Sequence, residues 1–384
     1  MIKFNPSDKR DQALLDLVAE GKIHKELPQA FGDFNLYKHQ IEAIKKGIQD
    51  EGFIVTSGTG SGKSLTFMAT IFNHIFELGD KKTKGIKAIL VYPMNALINS
   101  QEIEIQKYAE NFGDGFPVSV ATYSGQNSNA DREKIQADPP DILLTNYMML
   151  ELIMTRQRES WLRDSLKDSL KYLIFDELHT YRGRQGSDVS MLIRRIKSIC
   201  NKNLVCIGTS ATMASDGSVE EKKTAVAKVA STIFGESYTV DQVINEYLEP
   251  CTSGKIPTKE ELIKYLEEDL PGKTEMDFIS SPLSIWLETH IALKHNGTTL
   301  ERGLPLTINE ISEKLVLFTG LSFGSCVEKV TQLLKWTEKL NEENRVNNTR
   351  RTFLPFKFHQ FISQTSTVSV SLESRSNRHI TIKS

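Results

Sequence analysis

At 384 residues, 39% hydrophobic and 25% charged, the chain has an ordinary globular composition and the length of more than one domain. A formal net charge of −2 excludes a global basic field that would hold nucleic acid non-specifically, though not a local basic groove. Four scattered cysteines (Cys200, Cys206, Cys251 and Cys326) without a C-x-x-C pair argue against a zinc site or disulfide framework and suit a reducing cytoplasm.

The first stretch, "MIKFNPSDKRDQ", is too polar for a signal peptide, and no apolar run is long enough to cross a membrane. A cytoplasmic, non-membrane protein is the expectation. Residues 1–30 read as an N-terminal helical extension. Residues 31–235 read as one domain, in which short apolar runs alternate with amphipathic stretches from about residue 50 onward. The runs are "GFIVTS", "IKAILVYP", "PVSVATYS", "DILLTN", "KYLIFDE" and "NLVCIGTSAT". Each is rich in Val, Ile and Leu on both faces, as a strand covered by helices on both sides must be. The alternation predicts a parallel sheet of the α/β class, with ligands beyond the carboxyl ends of its strands.

The first run leads into "SGTGSGKS", Ser57 to Ser64. Gly58, Gly60 and Gly62 let the loop carrying Thr59 and Ser61 turn its N–H groups inward around phosphate oxygens, and the following helix adds its positive end. Lys63 reaches the β- and γ-phosphates, and the Ser64 hydroxyl ligates Mg²⁺. Ser57 stands where the general phosphate-loop pattern has glycine. The fifth run ends in Asp176-Glu177, an acidic pair at the edge where ligands gather. With a phosphate loop upstream, Asp176 reads as the holder of Mg²⁺ and Glu177 as the base that orients the attacking water. The competing reading makes Glu177 a structural ion-pair partner of Arg182 or Arg184.

"SGTGSGKS", "DELH" and "TSAT", in this order, resemble motifs I, II and III of the DEAD/DEAH-box helicases of superfamily two. "YPMNALINSQ", "TYSGQ" and "TNYMMLE" resemble that family's strand-binding loops, and "FNLYKHQIEAIKKG" its adenine-reading Q motif. "DELHTYRGRQGSDV" is most similar to the YprA/Lhr-like and phage-defence branch. The resemblance implies a RecA-like P-loop NTPase domain with ATP and Mg²⁺ as cofactors. It implies that Gln40 hydrogen-bonds the adenine edge and that Phe34 or Tyr37 stacks on the base. His179, Ser210 and Thr212 would couple the nucleotide site to the nucleic-acid face. Pro93, Asn95, Gln101, Ser124, Gly125, Thr145 and Asn146 would grip one strand's sugar-phosphate backbone. The implied partner is single-stranded or duplex nucleic acid, DNA before RNA, together with a second RecA-like domain.

Beyond the RecA-like span no second Gly-rich strand–helix series and no Q-x-x-G-R-x-G-R-like motif follows. Residues 236–350 read instead as a helical accessory domain. "SPLSIWLETHIALKH" has Ser281 as N-cap, Pro282 at the first helical position and an apolar stripe of Leu283, Trp286, Leu287 and Ile291. "TINEISEKLVLFTGLSFGSCVEKVTQLLKW" opens with a capping box of Thr307 and Glu310, breaks at Gly320 and resumes at Ser322, a winged-helix-like pattern. In 351–384 "STVSVSL" and "RHITIK" read as a two-stranded ribbon, the start of a second half carried in cis or on a separate subunit. Arg350, Arg351, Lys357 and Arg378 there form a basic face or line a channel.

Three functions fit: an ATP-dependent helicase or translocase half, a nucleic-acid-stimulated ATPase or ATP-switch subunit that clamps or remodels without unwinding, and a small-molecule phosphotransferase. "DELH" with "TSAT" argues against the last.

Overall fold

The alternation of apolar residues along each run decides which helix layer it meets, and all six runs form parallel strands in the computed structural model. Residues 1–58, 61–200, 203–210, 217–268, 274–296, 299–347, 352–358, 368–370 and 380–382 are described. The strands are β1 (Phe53–Thr56), β2 (Ala88–Tyr92), β3 (Val120–Tyr123), β4 (Ile142–Asn146), β5 (Tyr172–Phe175) and β6 (Val205–Ser210). A seventh, β7 (Val243–Asn245), was not legible in the sequence. The order across the sheet is β7-β1-β6-β5-β2-β4-β3, parallel throughout.

Phe53, Val55, Leu90, Leu144, Ile174 and Ile207 point to one face. There they meet α1 (Lys38–Gly47), α2 (Lys63–Leu78) and α3 (Asn95–Phe112) through Ile44, Phe72 and Ile98. Ile54, Ile89, Leu143, Leu173 and Cys206 point to the other. That face is covered by α4 (Tyr147–Thr155), α5 (Ser160–Lys167), α6 (Gly183–Ile199) and α7 (Val219–Phe234). Two apolar layers thus sandwich the sheet and leave the strand ends as its polar rims.

The chain divides into two units at other points than the sequence suggested. One unit is residues 8–248 with 296–299; the other is residues 1–7, 249–295 and 300–384. The sheet unit runs past 235 because β7 pairs with the phosphate-loop strand, Ile244 opposite Val55. The first 30 residues carry the helix Leu14–Ala19 and the start of Leu27–Phe31, together with two strands that the sequence reading did not include. Ile2–Phe4 is a strand paired antiparallel with Phe356–Phe358 in the second unit, and Arg10–Ala13 pairs with Asn35–Tyr37 in the first.

The second unit is mostly helical around Phe278, Leu283, Trp286, Leu315, Val330 and Leu333. Ser281 caps the helix that Pro282 begins, and Thr307 with Glu310 forms the capping box of Ile308–Thr319. Gly320 is left-handed (φ 81°), and Ser322 caps the next helix, Phe323–Val346, so each local signal is in place. Val368–Val370 and Ile380–Ile382 pair antiparallel as the ribbon reading requires. Lys357 is exposed, whereas Arg350, Arg351 and Arg378 lie outside the described residues.

Candidate nucleotide site

The carboxyl rim of the sheet gathers the chemistry. β1 delivers Ser57 and Gly58, β5 delivers Asp176 and Glu177, and β6 delivers Thr209 and Ser210. Gly62, left-handed at φ 71°, turns the loop into α2, where Lys63 is the first residue. A Cβ on Gly62 would meet Gln40 Nε2 at 2.5 Å, so this position has neither the backbone freedom nor the room for another residue.

Lys63 Nζ donates to the carbonyls of Ser57 (3.1 Å) and Ser210 (3.5 Å) and lies 3.7 Å from Glu177 Oε1. The last two are long contacts, and phosphate oxygens would replace them with stronger charge-assisted bonds. The loop itself is tied by Ser57 Oγ and Ser61 Oγ at 2.5 Å and by Ser61 Oγ donating to the Gly58 carbonyl at 2.8 Å. Ser57, where the general pattern has glycine, is fully buried and thus acts as a loop brace. Thr59, Gly60 and Thr212 lie outside the described residues.

Asp176 accepts a hydrogen bond from Thr209 Oγ1, which in turn accepts from the Glu177 amide at 3.1 Å. Burial pushes the Asp176 carboxyl above its ordinary value; the Thr209 bond opposes this, the Glu177 charge adds to it, and Lys63 opposes it. A carboxylate so desolvated is one that a cation would relieve. Ser64 at the start of α2 supplies a hydroxyl, so the donors are all oxygen, which fits Mg²⁺. Among the described residues no cluster of three His, Cys, Asp or Glu could hold a metal. Mg²⁺ needs no such cage, because it takes one or two carboxylates alongside phosphate oxygens and water. Asp176 and Ser64 would hold the ion; when bound, it would neutralise charge on the phosphates.

Glu177 has φ 53° and ψ 52°, a left-handed conformation rare outside glycine. Its carboxylate lies 3.1 Å from His179 Nδ1, and His179 Nδ1 lies 3.4 Å from Ser210 Oγ. Glu177 therefore pairs with Lys63 and His179; among the described residues neither Arg182 nor Arg184 forms that pair. His179 and Ser210, expected to couple motif II to motif III, are in contact. Leu178 seats the loop on β6: a Cβ on Gly208 would meet Leu178 Cδ1 at 2.1 Å.

Gln40 is 3% exposed and fully engaged locally. Its Oε1 accepts from the Tyr37 amide (2.9 Å), while Nε2 donates to the carbonyls of Gly62 (3.1 Å) and Ser61 (3.4 Å). It thus braces the phosphate loop. Tyr37 stacks on His39 with ring centroids 5.7 Å apart, and Phe34 packs against the apolar cluster of that face.

The strand-gripping candidates separate into two groups. Asn146 Nδ2 donates to Asn95 Oδ1 at 2.8 Å, joining the loops after β4 and β2, and Pro93 and Gly125 lie on the same rim, with open space over Gly125. The other three turn inward, which corrects the expectation for them as surface contacts. Thr145 is fully buried and donates to the Tyr123 carbonyl; Ser124 is 3% exposed and shares Asn127 Oδ1 with its own amide. Gln101 is 5% exposed, on the helix side that carries Ile98 and Ile105.

Several site residues escaped the sequence. Thr209 stood in "TSAT" but drew no role. His39, beside Gln40, is buried, with Nε2 3.2 Å from the Ser61 carbonyl and Nδ1 3.8 Å from Asp8. Glu246 accepts from the Gly58 amide at 3.0 Å, and nothing in the sequence marked it because β7 was not foreseen.

A phosphate loop, an acidic pair and a serine–histidine link on adjacent parallel strands coincide with a family match. The family model of the DEAD/DEAH box helicases matches residues 37–219. Over those residues the chain is similar to the DEAD/DEAH box helicases. A Bacillus subtilis protein named as an uncharacterized ATP-dependent helicase, YprA, is 33% identical over 192 residues, 49% of this chain and 24% of its own length. A counterpart in Methanocaldococcus jannaschii, the uncharacterized ATP-dependent helicase MJ1574, is 30% identical over 218 residues, 56% of this chain and 31% of its own. The chain thus spans under a third of these relatives. Among solved structures, the DEAD-box helicase Mss116 bound to single-stranded RNA shares the fold: TM-score 0.52 at 19% identity, over 68% of this chain and 53% of that one. The likeness to YprA-type helicases read from "DELHTYRGRQGSDV" is borne out. Among the described residues no helix is long and apolar enough to cross a membrane.

Proposed function

We propose that the chain is the ATP-binding half of a nucleic-acid helicase or translocase that hydrolyses Mg-ATP against a second RecA-like domain. The observation that carries this is the meeting of Lys63, Asp176 and Glu177 on one rim, with Glu177 3.7 Å from the lysine and held left-handed. Lys63 and the loop amides take the phosphates, Asp176 and Ser64 take Mg²⁺, and Glu177 accepts the proton of the attacking water. Gln40 braces the loop through Ser61 and Gly62 and exchanges one of those contacts for the adenine edge when nucleotide binds, with Tyr37 or Phe34 against the base. The rim at Pro93, Asn95, Gly125 and Asn146 receives the backbone of one strand, DNA before RNA.

The second domain supplies arginines that stabilise the transferring phosphoryl group, an effect of about 10³–10⁵ in rate in related sites. The chain alone therefore binds Mg-ATP and turns it over slowly. Supplying a second RecA-like domain gives strand-stimulated hydrolysis. Glu177→Gln in that assembly keeps nucleotide binding and loses at least 100-fold in turnover, since an amide holds water but takes no proton. Normal strand-stimulated turnover by Glu177→Gln would return this residue to a structural ion pair.

A further inference from the structure

Tyr181 and Tyr147 have no part in the chemistry above, yet they join the acidic loop to the rim where a strand would lie. Tyr181 follows Asp176 by five positions, across left-handed Glu177 and the single turn Leu178–Thr180, and its amide donates to the Leu178 carbonyl at 3.1 Å. Its ring stands edge-on to Phe175, the residue before Asp176, at 5.6 Å and 82°. It also stands edge-on to Tyr147 at 6.1 Å and 79°. Tyr147 is the first residue of α4, whose cap is Asn146, with Oδ1 accepting from the Met149 amide at 2.8 Å. Asn146 donates in turn to Asn95, so both loops of the rim hang on the residue next to Tyr147. A Cβ on Gly186 would lie 2.8 Å from the Tyr181 carbonyl, so the start of α6 packs close against the Tyr181 backbone. A shift of the acidic loop would reach Tyr147 through this ring.

The hydroxyl argues that this arrangement has an alternative. Tyr181 is 2% exposed, and its hydroxyl has no hydrogen-bond partner among the described residues. A buried hydroxyl left unpaired costs about 1–3 kcal/mol, which phenylalanine at this position would avoid. A second loop position that pairs the hydroxyl would recover that cost. Close-packed contacts shift between discrete arrangements of this kind.

We propose that Tyr181 and Tyr147 form an aromatic bridge that transmits the nucleotide state of the Asp176–Glu177 loop to the strand-binding loops at Asn146 and Asn95. Both are positioning residues, and the inference rests on the function proposed above. The test is linkage on the full chain. The affinity of a short fluorescent oligo(dT) strand is measured with and without Mg-AMP-PNP, and the ratio of the two dissociation constants is the coupling factor. A factor on the order of tenfold is expected for the parent, typical of coupled sites. Tyr181→Phe keeps the ring, raises the Tm and lowers the factor at least threefold. Tyr147→Leu, at a half-buried position that tolerates the change, brings it near one. Each variant binds either ligand alone within about twofold of the parent, and the double variant goes no lower than Tyr147→Leu. A role in packing alone would leave the factor untouched in Tyr181→Phe. Parental coupling in both single variants overturns the bridge, as does a parent that binds both ligands without coupling; the functional reading then stands. A parent that binds neither ligand overturns both.

Discussion

The two rims of the seven-stranded sheet carry the same kinds of side chain and put them to opposite uses. At the amino rim Lys87, before β2, and Asp141, before β4, are 2% and 3% exposed. Asp141 accepts from the Ser119 amide and hydroxyl, both at 2.8 Å, and from Lys82 at 2.6 Å, with Lys87 at 4.0 Å. Lys87 donates to the carbonyls of Thr83 and Gly85. One carboxylate oxygen, Oδ2, takes all three short bonds and the other faces Lys87, and the network is a fastener. At the carboxyl rim Lys63 holds two carbonyls and a glutamate at 3.1–3.7 Å, and Asp176 sits buried with a raised pKa. A buried charge with complete partners stabilises a fold; one with long, exchangeable partners is ready for a ligand.

Breaking the fastener should have the largest effect on stability. Asp141→Ala removes the carboxylate that faces buried Lys87 and joins it to Lys82, a loss of about 3–5 kcal/mol. Chemical denaturation should show this, while nucleotide affinity measured below the transition stays at the parental value. Gly208→Ala comes next. Its Cβ would collide with Leu178 and shift the Glu177 turn, costing about 1–3 kcal/mol. Strand-stimulated turnover in the complete assembly should fall more than nucleotide affinity does.

Asp176→Asn should give the smallest change in stability, and of opposite sign. Because burial raises the Asp176 pKa, protonation favours the folded form. That stabilisation is full below the ordinary carboxylate value and is lost as pH rises through the raised one. The neutral amide removes the slope, so at neutral pH the Tm rises by roughly 2–4 °C, equivalent to about 1 kcal/mol, while Mg²⁺-dependent nucleotide binding disappears. Thermal melts of both proteins across the acid range check the sign.

The same contrast explains what the sequence disclosed. Six strands were legible because burial on both faces requires continuous apolar runs, and Lys63, Asp176 and Glu177 because a phosphate loop needs its glycines at fixed spacing. β7 is three residues, "VIN", too short to carry a pattern, and Glu246 was lost with it. The inward turn of Gln101, Ser124 and Thr145 was hidden because polar residues read as surface until their partners are seen; Thr145 finds the Tyr123 carbonyl. Pairing of Ile2–Phe4 with Phe356–Phe358 is too remote in sequence for any local signal.

The central claim, that the carboxyl rim is a Mg-ATP site whose lysine is held in exchangeable contacts, is tested most directly by calorimetric titration of the purified chain with Mg-ATP, beside Lys63→Ala and Asp141→Ala. The account predicts saturable binding by the parent and at least tenfold weaker binding by Lys63→Ala, a difference of about 1.4 kcal/mol or more, at an unchanged Tm. Asp141→Ala should bind as the parent does at a lowered Tm. Parental affinity in Lys63→Ala, or no Mg-ATP binding by the folded parent, would contradict it.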